Sequence, residues 1–394
     1  MTLLWQFHRV PQTNMFHVSR NQVKRGTAPT VQLLSLVEQA LLSTLPRTWS
    51  ISVDRDLPSG GSRRGYRPDG VATITAPDGA KVGVLIECKA AVVPRDVASL
   101  AEQLHLYANT EGSEGRAIGG ALLAVPFVSP TTRAQLDVHG LGWFDTTGNF
   151  RLRLDRPAVF LDRVGADRSV LRDPADRLLK SLRGPAAAKV LLELCETLLP
   201  MGVRDLAERA QVGAATSARV LDLLDREAVI DREEHGSVTV VRKRALIERW
   251  VQDYHVMTSN EVVTTLDPRG LNHALQALSK ADTRIAVTGS AAVRAYLPDG
   301  VTPVSPLVSL SLYAEDPIGL IEQLRLRAVD RGANVLVLRP YDEVVYTKAT
   351  IVDGIAFAPP AQVVADLLTG PGRSSEEAEQ LMAVLGAGDR GWVS

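Results

Sequence analysis

Between Ala187 and Val241 the chain spells three closely spaced amphipathic helices and then a strand pair, an order that few folds accept in so short a span. AAAKVLLELCETLL is apolar along a full helix length. VRDLAERAQ places Val203, Leu206, Ala207 and Ala210 on one side. AATSARVLDLLDREAVI repeats the pattern with Val220, Leu221, Leu223 and Leu224. Val212 and Gly213 lie between the second and third helices, where glycine tolerates a backbone bend. After Ala228-Val229-Ile230, DREEHGSVTVV alternates as a hairpin with His235-Gly236 at its tip.

This is the plan of a winged helix-turn-helix over 186–255, and it resembles the winged domains of bacterial regulators. In that motif the start of the second helix of the pair enters the major groove of double-stranded DNA. Thr216, Ser217 and Arg219 are expected at that exposed start, with His235 on the wing. Arg242, Lys243 and Arg244 form the densest basic cluster of the chain and are expected to meet phosphates. A helical bundle used only for self-association fits the same pattern.

Charge is distributed unevenly. Net charge is −1, so the molecule as a whole does not attract nucleic acid. Residues 1–175 hold 20 Lys and Arg against 16 Asp and Glu, 176–255 hold 13 of each, and 256–394 hold 11 against 16. DNA contact must therefore come from local patches, and the basic amino-terminal part is expected to add to it. The richness in Ala, Val, Leu and Arg suits a GC-rich bacterial genome. The two cysteines, Cys88 and Cys195, sit in apolar runs without metal-ligand spacing, which suits a reducing cytoplasm. No apolar run nears the about 18 residues of a membrane span, and MTLLWQFHRVPQ lacks a secretory core.

Upstream, 1–29 reads as a polar arm, and 30–165 as an α/β layer with the order helix, strands, helix, strand. In VGVLIECK successive side chains face opposite ways, so Val82, Val84, Ile86 and Cys88 share one face and Glu87 and Lys89 the other. Arg67-Pro68-Asp69 opens the preceding strand, so a short hairpin brings Asp69 beside Glu87. Two adjacent carboxylates bind Mg²⁺ or Mn²⁺, and a neighbouring lysine stabilises developing phosphate charge. Arg63, Arg64 and Arg67 stand ready for phosphate contact. Two plainer readings remain: Asp69 as a turn residue, and Glu87–Lys89 as a solvated pair.

Pro68-Asp69 and Glu87-Cys88-Lys89 resemble the signature of PD-(D/E)XK nucleases. The resemblance implies a restriction-endonuclease-like fold, Asp69, Glu87, Lys89 and Gln103 as catalytic residues, and Asp69, Glu87 and Glu38 as metal ligands. Tyr107 matches a further polar element of some members.

A charged linker, 166–185, leads into the helices. From 256 to 394 the chain alternates strands and helices again. IAVTGSAAVRAYLP reads as strand, Gly289-Ser290 turn and helix, and LVSLSLYAED as the following strand. The order resembles nucleotidyltransferases, but Ser309 and Ser311 stand where that fold carries two carboxylates, so the domain reads as degenerate. Ser374 or Ser375 is expected to cap the last helix. The winged helix together with VTGSAAVRAYLP, GANVLVLRPYDE and DLLTGPGRSSEEAEQL resembles AbiEi-type antitoxins and regulators over about 185–390. That implies DNA binding and contact with a toxin or a second copy through the carboxy-terminal domain. The expectation is a cytoplasmic regulator carrying a nuclease-like domain; its rival is a Mg²⁺-dependent DNA endonuclease of a defence system that holds its substrate with the winged helix.

Overall fold

The computed structural model describes residues 28–55, 68–113, 117–167, 179–233 and 235–393. Arg63, Arg64, Arg67 and most of the expected linker lie outside them. The chain divides into two compact units, Met1–Pro174 and Ala175–Ser394.

The first unit is a seven-stranded sheet between helices. α1 (Ala28–Thr44) precedes β1 (Ser50–Asp54), β2 (Gly70–Thr75) and β3 (Lys81–Cys88), which form an antiparallel meander. α2 (Pro94–Ser113) then leads to β4 (Ile118–Val125), and α3 (Pro130–Val138) to β5 (Gly142–Asp145). β3, β4 and β5 run parallel, as strands joined through helices can. β6 (Phe150–Leu154) and β7 (Val159–Arg163) close the sheet antiparallel, so spatial order equals sequence order.

The alternation expected in β3 is realised. Val82, Val84, Ile86 and Cys88 join the core under α1, with Leu34, Val37 and Leu41. Leu85 belongs to the opposite core, with Leu100 and Leu104 of α2 and Leu136 of α3. After its first residue β3 is buried throughout, as a strand covered on both faces must be.

The second unit begins with α4 (Pro185–Glu196), α5 (Val203–Arg209) and α6 (Ala214–Arg226), then the hairpin β8 (Ile230–Arg232) and β9 (Val238–Val241), then α7 (Lys243–Trp250). The turn between α5 and α6 departs from expectation. Gln211, not Gly213, takes the left-handed conformation (φ 52°) just past the end of α5, while Gly213 is extended and starts α6.

The chain continues through α8 (Val256–Ser259), β10 (Glu261–Leu266), α9 (Leu271–Ala277), β11 (Ile285–Thr288), α10 (Gly289–Tyr296), β12 (Leu310–Ala314) and α11 (Pro317–Gln323). β13 (Arg327–Ala328), β14 (Val335–Arg339), α12 (Val344–Thr347), β15 (Thr350–Val352), β16 (Ile355–Phe357), α13 (Pro360–Leu368) and α14 (Ser374–Gly388) complete it. The sheet order is β13-β10-β14-β12-β11-β16-β15, with β12–β14 and β11–β16 parallel.

The boundary expected at 255/256 falls inside one continuous core, which runs from Leu191, Leu221 and Trp250 to Val287, Tyr313 and Val364. A polar hub reinforces it. Asp366 Oδ1 accepts from Tyr254 and from Gln362, each at 2.7 Å, and Oδ2 accepts from Tyr313 (2.7 Å) and Thr288 (2.6 Å). Burial pushes the Asp366 carboxyl up from the usual range, and these four donors hold it back. Tyr254 also stacks on Trp250 at 4.9 Å, so the end of the helical segment is bonded directly into the following sheet layer.

Candidate functional site

Two sites merit description, one in each unit. In the second, α6 presents the residues expected to meet DNA. Ala214, Ala215 and Arg219 are exposed and Thr216 is half-buried. Ser217 is a correction: it is wholly buried, and its Oγ has no hydrogen-bond partner among the described residues. It lies three and four residues before Val220 and Leu221, on the face that packs inward. His235 is exposed in the hairpin turn. Arg232 ties that hairpin to α6: its Nη1 donates to Asp222 Oδ1 (2.7 Å) and its Nε to the Gly236 carbonyl (2.9 Å).

The basic cluster is the larger correction. All three cations are held within the unit. Arg242 forks onto Asp231 at 2.8 and 2.9 Å. Lys243 pairs with Asp389 at 2.6 Å and donates to the Cys195 carbonyl. Arg244 forks onto Glu379 at 2.9 and 2.7 Å and donates to Glu248 at 2.9 Å. Cations at the start of α7 oppose its dipole, and these carboxylates offset that. Arg204, on the first turn of α5, and Arg219 are exposed and have no ion-pair partner among the described residues. Sequence reading missed Arg204, although its place at the start of the first helix of the pair was a usable signal.

In the first unit Asp69 stands opposite Glu87, one position beyond the Gly70–Ile86 pair. Its Oδ2 accepts the Cys88 amide proton at 2.7 Å, so it bridges two strands and is more than a turn residue. Glu87 is 3% exposed and receives Lys89 Nζ on Oε1 at 2.5 Å, while its Oε2 is buried without a partner among the described residues. Burial first, then the charges of Asp69 and Glu87, push the neighbouring Cys88 thiol up to about 12.

The other expected members do not join this group. Glu38 projects from α1, on the sheet face opposite Glu87, and pairs with Arg55 at 3.1 Å. Gln103 is exposed on α2, and among the described residues it does not bond to Asp69, Glu87 or Lys89. Tyr107 is buried in the α2 core. Among the described residues no group of three or more His, Cys, Asp or Glu is placed to hold a metal ion. The Asp69–Glu87 pair nonetheless suits a hard divalent cation, because two carboxylates face one another across paired strands and one buried oxygen lacks a donor.

Over residues 239–385 the chain matches a family model of transcriptional regulators. The family is that of the AbiEi antitoxin of type IV toxin–antitoxin systems. The match runs from β9 through most of α14, so α4, α5, α6 and the whole first unit precede it. No curated protein and no solved structure matches the chain. Among the described residues no helix is long and apolar enough to cross a membrane.

Proposed function

We propose that the chain is a DNA-binding transcriptional regulator of antitoxin type, in which 185–250 form a winged helix-turn-helix. One observation carries the reading: the start of α6 is exposed, Arg204 on α5 and Arg219 on α6 are exposed without an ion-pair partner among the described residues, and the hairpin is pinned to α6 through Arg232. The adjoining regulator-family match supports it. α6 reads the major groove through Thr216 and Arg219, Arg204 holds a phosphate, and His235 on the wing reaches the flanking backbone. The layer from 256 onward, where most of the match lies, is the part that meets a toxin or a second copy. A duplex from upstream of the chain's own gene should bind more tightly than a scrambled duplex, and Arg219→Ala should remove the difference. Equal binding of both duplexes by the wild type overturns the reading.

A second reading rests on the orphaned Glu87 oxygen: metal-dependent phosphodiester hydrolysis in the first unit, which carries the PD-(D/E)XK pattern. Asp69 and Glu87 would hold Mg²⁺ or Mn²⁺, which when bound supplies Lewis-acid activation of a phosphodiester. Lys89 Nζ, already on Glu87, then stabilises charge on the phosphoryl oxygens. Supercoiled plasmid with Mg²⁺ or Mn²⁺ tests it. Nicking by wild type that is lost in Lys89→Ala and Asp69→Ala supports the activity, and an intact plasmid with wild type overturns it.

A further inference from the structure

The second unit contains a cleft that the DNA-binding reading does not use. It lies between the sheet and the starts of α10 and α14, with Asp366 at its base. Across the sheet, Thr288 pairs with Ser311 and Ser311 with Leu336, so three adjacent strands each send one residue to the same row. Ser309 extends the polar side of the cleft, and Val256, Met257 and Leu338 form an apolar wall.

Its polar groups are rich in uncommitted donors. Ser374 lines the cleft, and its Oγ is buried with no partner. Sequence reading expects that residue or Ser375 to cap α14, but the cap position falls on Arg373, which makes no capping bond. Among the described residues Ser309 and Ser311 have no side-chain hydrogen bond either. Thr288 occupies the cap position of α10, but its hydroxyl is spent on Asp366 and leaves the first amides of that helix uncapped. Gly289 takes φ +65°, and a side chain there would meet Ser311 Cβ at 3.5 Å, so the backbone stays open to a ligand. The nearby carboxylates are already engaged. Each Asp366 oxygen has two donors, and Glu377 accepts from Ser290 (2.6 Å) and Ser305 and lies 3.9 Å from Arg294. Unsatisfied hydroxyls and amides facing an apolar wall call for a ligand with an acceptor-rich anionic end and an apolar body.

We propose that this cleft binds a small organic phosphate and that its occupancy alters DNA binding by α6. The second clause rests on the regulator reading. The physical link is short. Asp366 at the base of the cleft is bonded to Tyr254, Tyr254 stacks on Trp250, and Trp250 shares the core of Leu191, Leu221 and Leu224 beneath α6. Val256 and Met257, two residues of the cleft wall, follow Tyr254 after the single residue His255.

The test uses the full chain. Melting temperature is followed against adenosine monophosphate, glucose 6-phosphate, inorganic phosphate and adenosine, in wild type, Ser311→Leu and Ser374→Ala. Binding predicts a saturable rise of a few degrees with at least one organic phosphate, a smaller effect of inorganic phosphate and none of adenosine. Ser311→Leu fills the cleft and should abolish the rise. Ser374→Ala removes one buried donor without adding bulk and should weaken the rise, which keeps the test decisive if the leucine variant fails to fold. No rise with any phosphate, or a rise unchanged in Ser374→Ala and in a folded Ser311→Leu, overturns the site. The active phosphate is then added to the DNA titration, where a change in affinity of about fivefold or more is expected. Ligand binding with unchanged DNA affinity overturns the coupling alone. Failure to bind DNA at all sinks the regulator reading, and with it the coupling, while the melting experiment still decides the site.

Discussion

Arg244 separates a DNA contact from an internal brace, and the salt dependence of binding distinguishes the two. Each phosphate neutralised by a cation contributes about 0.9 to the slope of log K against log salt for duplex DNA. If Arg242, Lys243 and Arg244 all met phosphates, removing the three charges would flatten the slope by roughly 2.7, and Arg244→Gln alone by roughly 0.9. The structure predicts otherwise. The Arg244 guanidinium gives Nη1 and Nη2 to Glu379 and Nε to Glu248, so a phosphate would have to displace two carboxylates. Arg244→Gln should therefore leave the slope within about 0.2 of wild type, whereas Arg204→Gln should flatten it by about 0.9. The Arg244 pairs are partly exposed and worth about 0–1 kcal/mol, so the variant stays folded. Fluorescence anisotropy of a labelled duplex from about 50 to 200 mM KCl measures both slopes. A loss near 0.9 in Arg244→Gln, with no change in Arg204→Gln, would show that the cluster opens to DNA and that the structural assignment is wrong.

Ser217→Ala should stabilise the protein by about 1 kcal/mol, since it removes a buried hydroxyl without a partner and adds a better helix former. In a unit of this size that is a melting rise of about 2–4 °C, with DNA affinity unchanged; a fall in melting temperature would contradict the burial argument. Acid should weaken the second unit. Burial pushes Asp253 up, but the Leu182 amide, Arg249 and Ser181 outweigh it and hold the carboxyl below its usual range. At Asp267 burial is outweighed by Arg269 and His273, and at Asp389 by Lys243 and the Gly391 amide. A lowered folded value adds stability above the unfolded value of about 3.9 and loses it as pH falls through the folded one. Asp366 and Glu196, both pushed up by burial, work the other way, their contribution declining as pH rises from the unfolded toward the folded value, but they are two groups against three. The urea midpoint should drop between about pH 5 and 3, and a flat profile refutes the balance.

Local periodicity made much of the first unit legible. The alternation along Val82–Cys88 assigned both faces of β3, and Asp69 was placed opposite Glu87 because a meander with short turns leaves little freedom of register. Glu38 was misplaced because helical spacing says which residues of α1 point inward but not which sheet face the helix covers. The burial of Ser217 is legible in helical spacing, since it shares a face with Val220, Leu221 and Leu224.

The pairing of the basic cluster escapes the sequence for a different reason. Three adjacent cations look like a patch whatever surrounds them, and the partner that neutralises Arg244 lies 135 residues away. The same blindness hid the Asp366 hub, whose four donors are Gln362 on its own helix and Tyr254, Thr288 and Tyr313 from the segment after α7, β11 and β12. Both features belong to one fact of the fold. The acidic carboxy-terminal layer and the helical segment share a single core, and the excess acid of that layer is partly consumed in neutralising cations of the other. The even charge of 176–255 thus overstates how much cation that segment can offer DNA. What remains exposed without an ion-pair partner among the described residues of the α5–α6 pair is Arg204 and Arg219, so recognition must concentrate on a narrow strip of two helix starts and the hairpin that Arg232 fastens to α6.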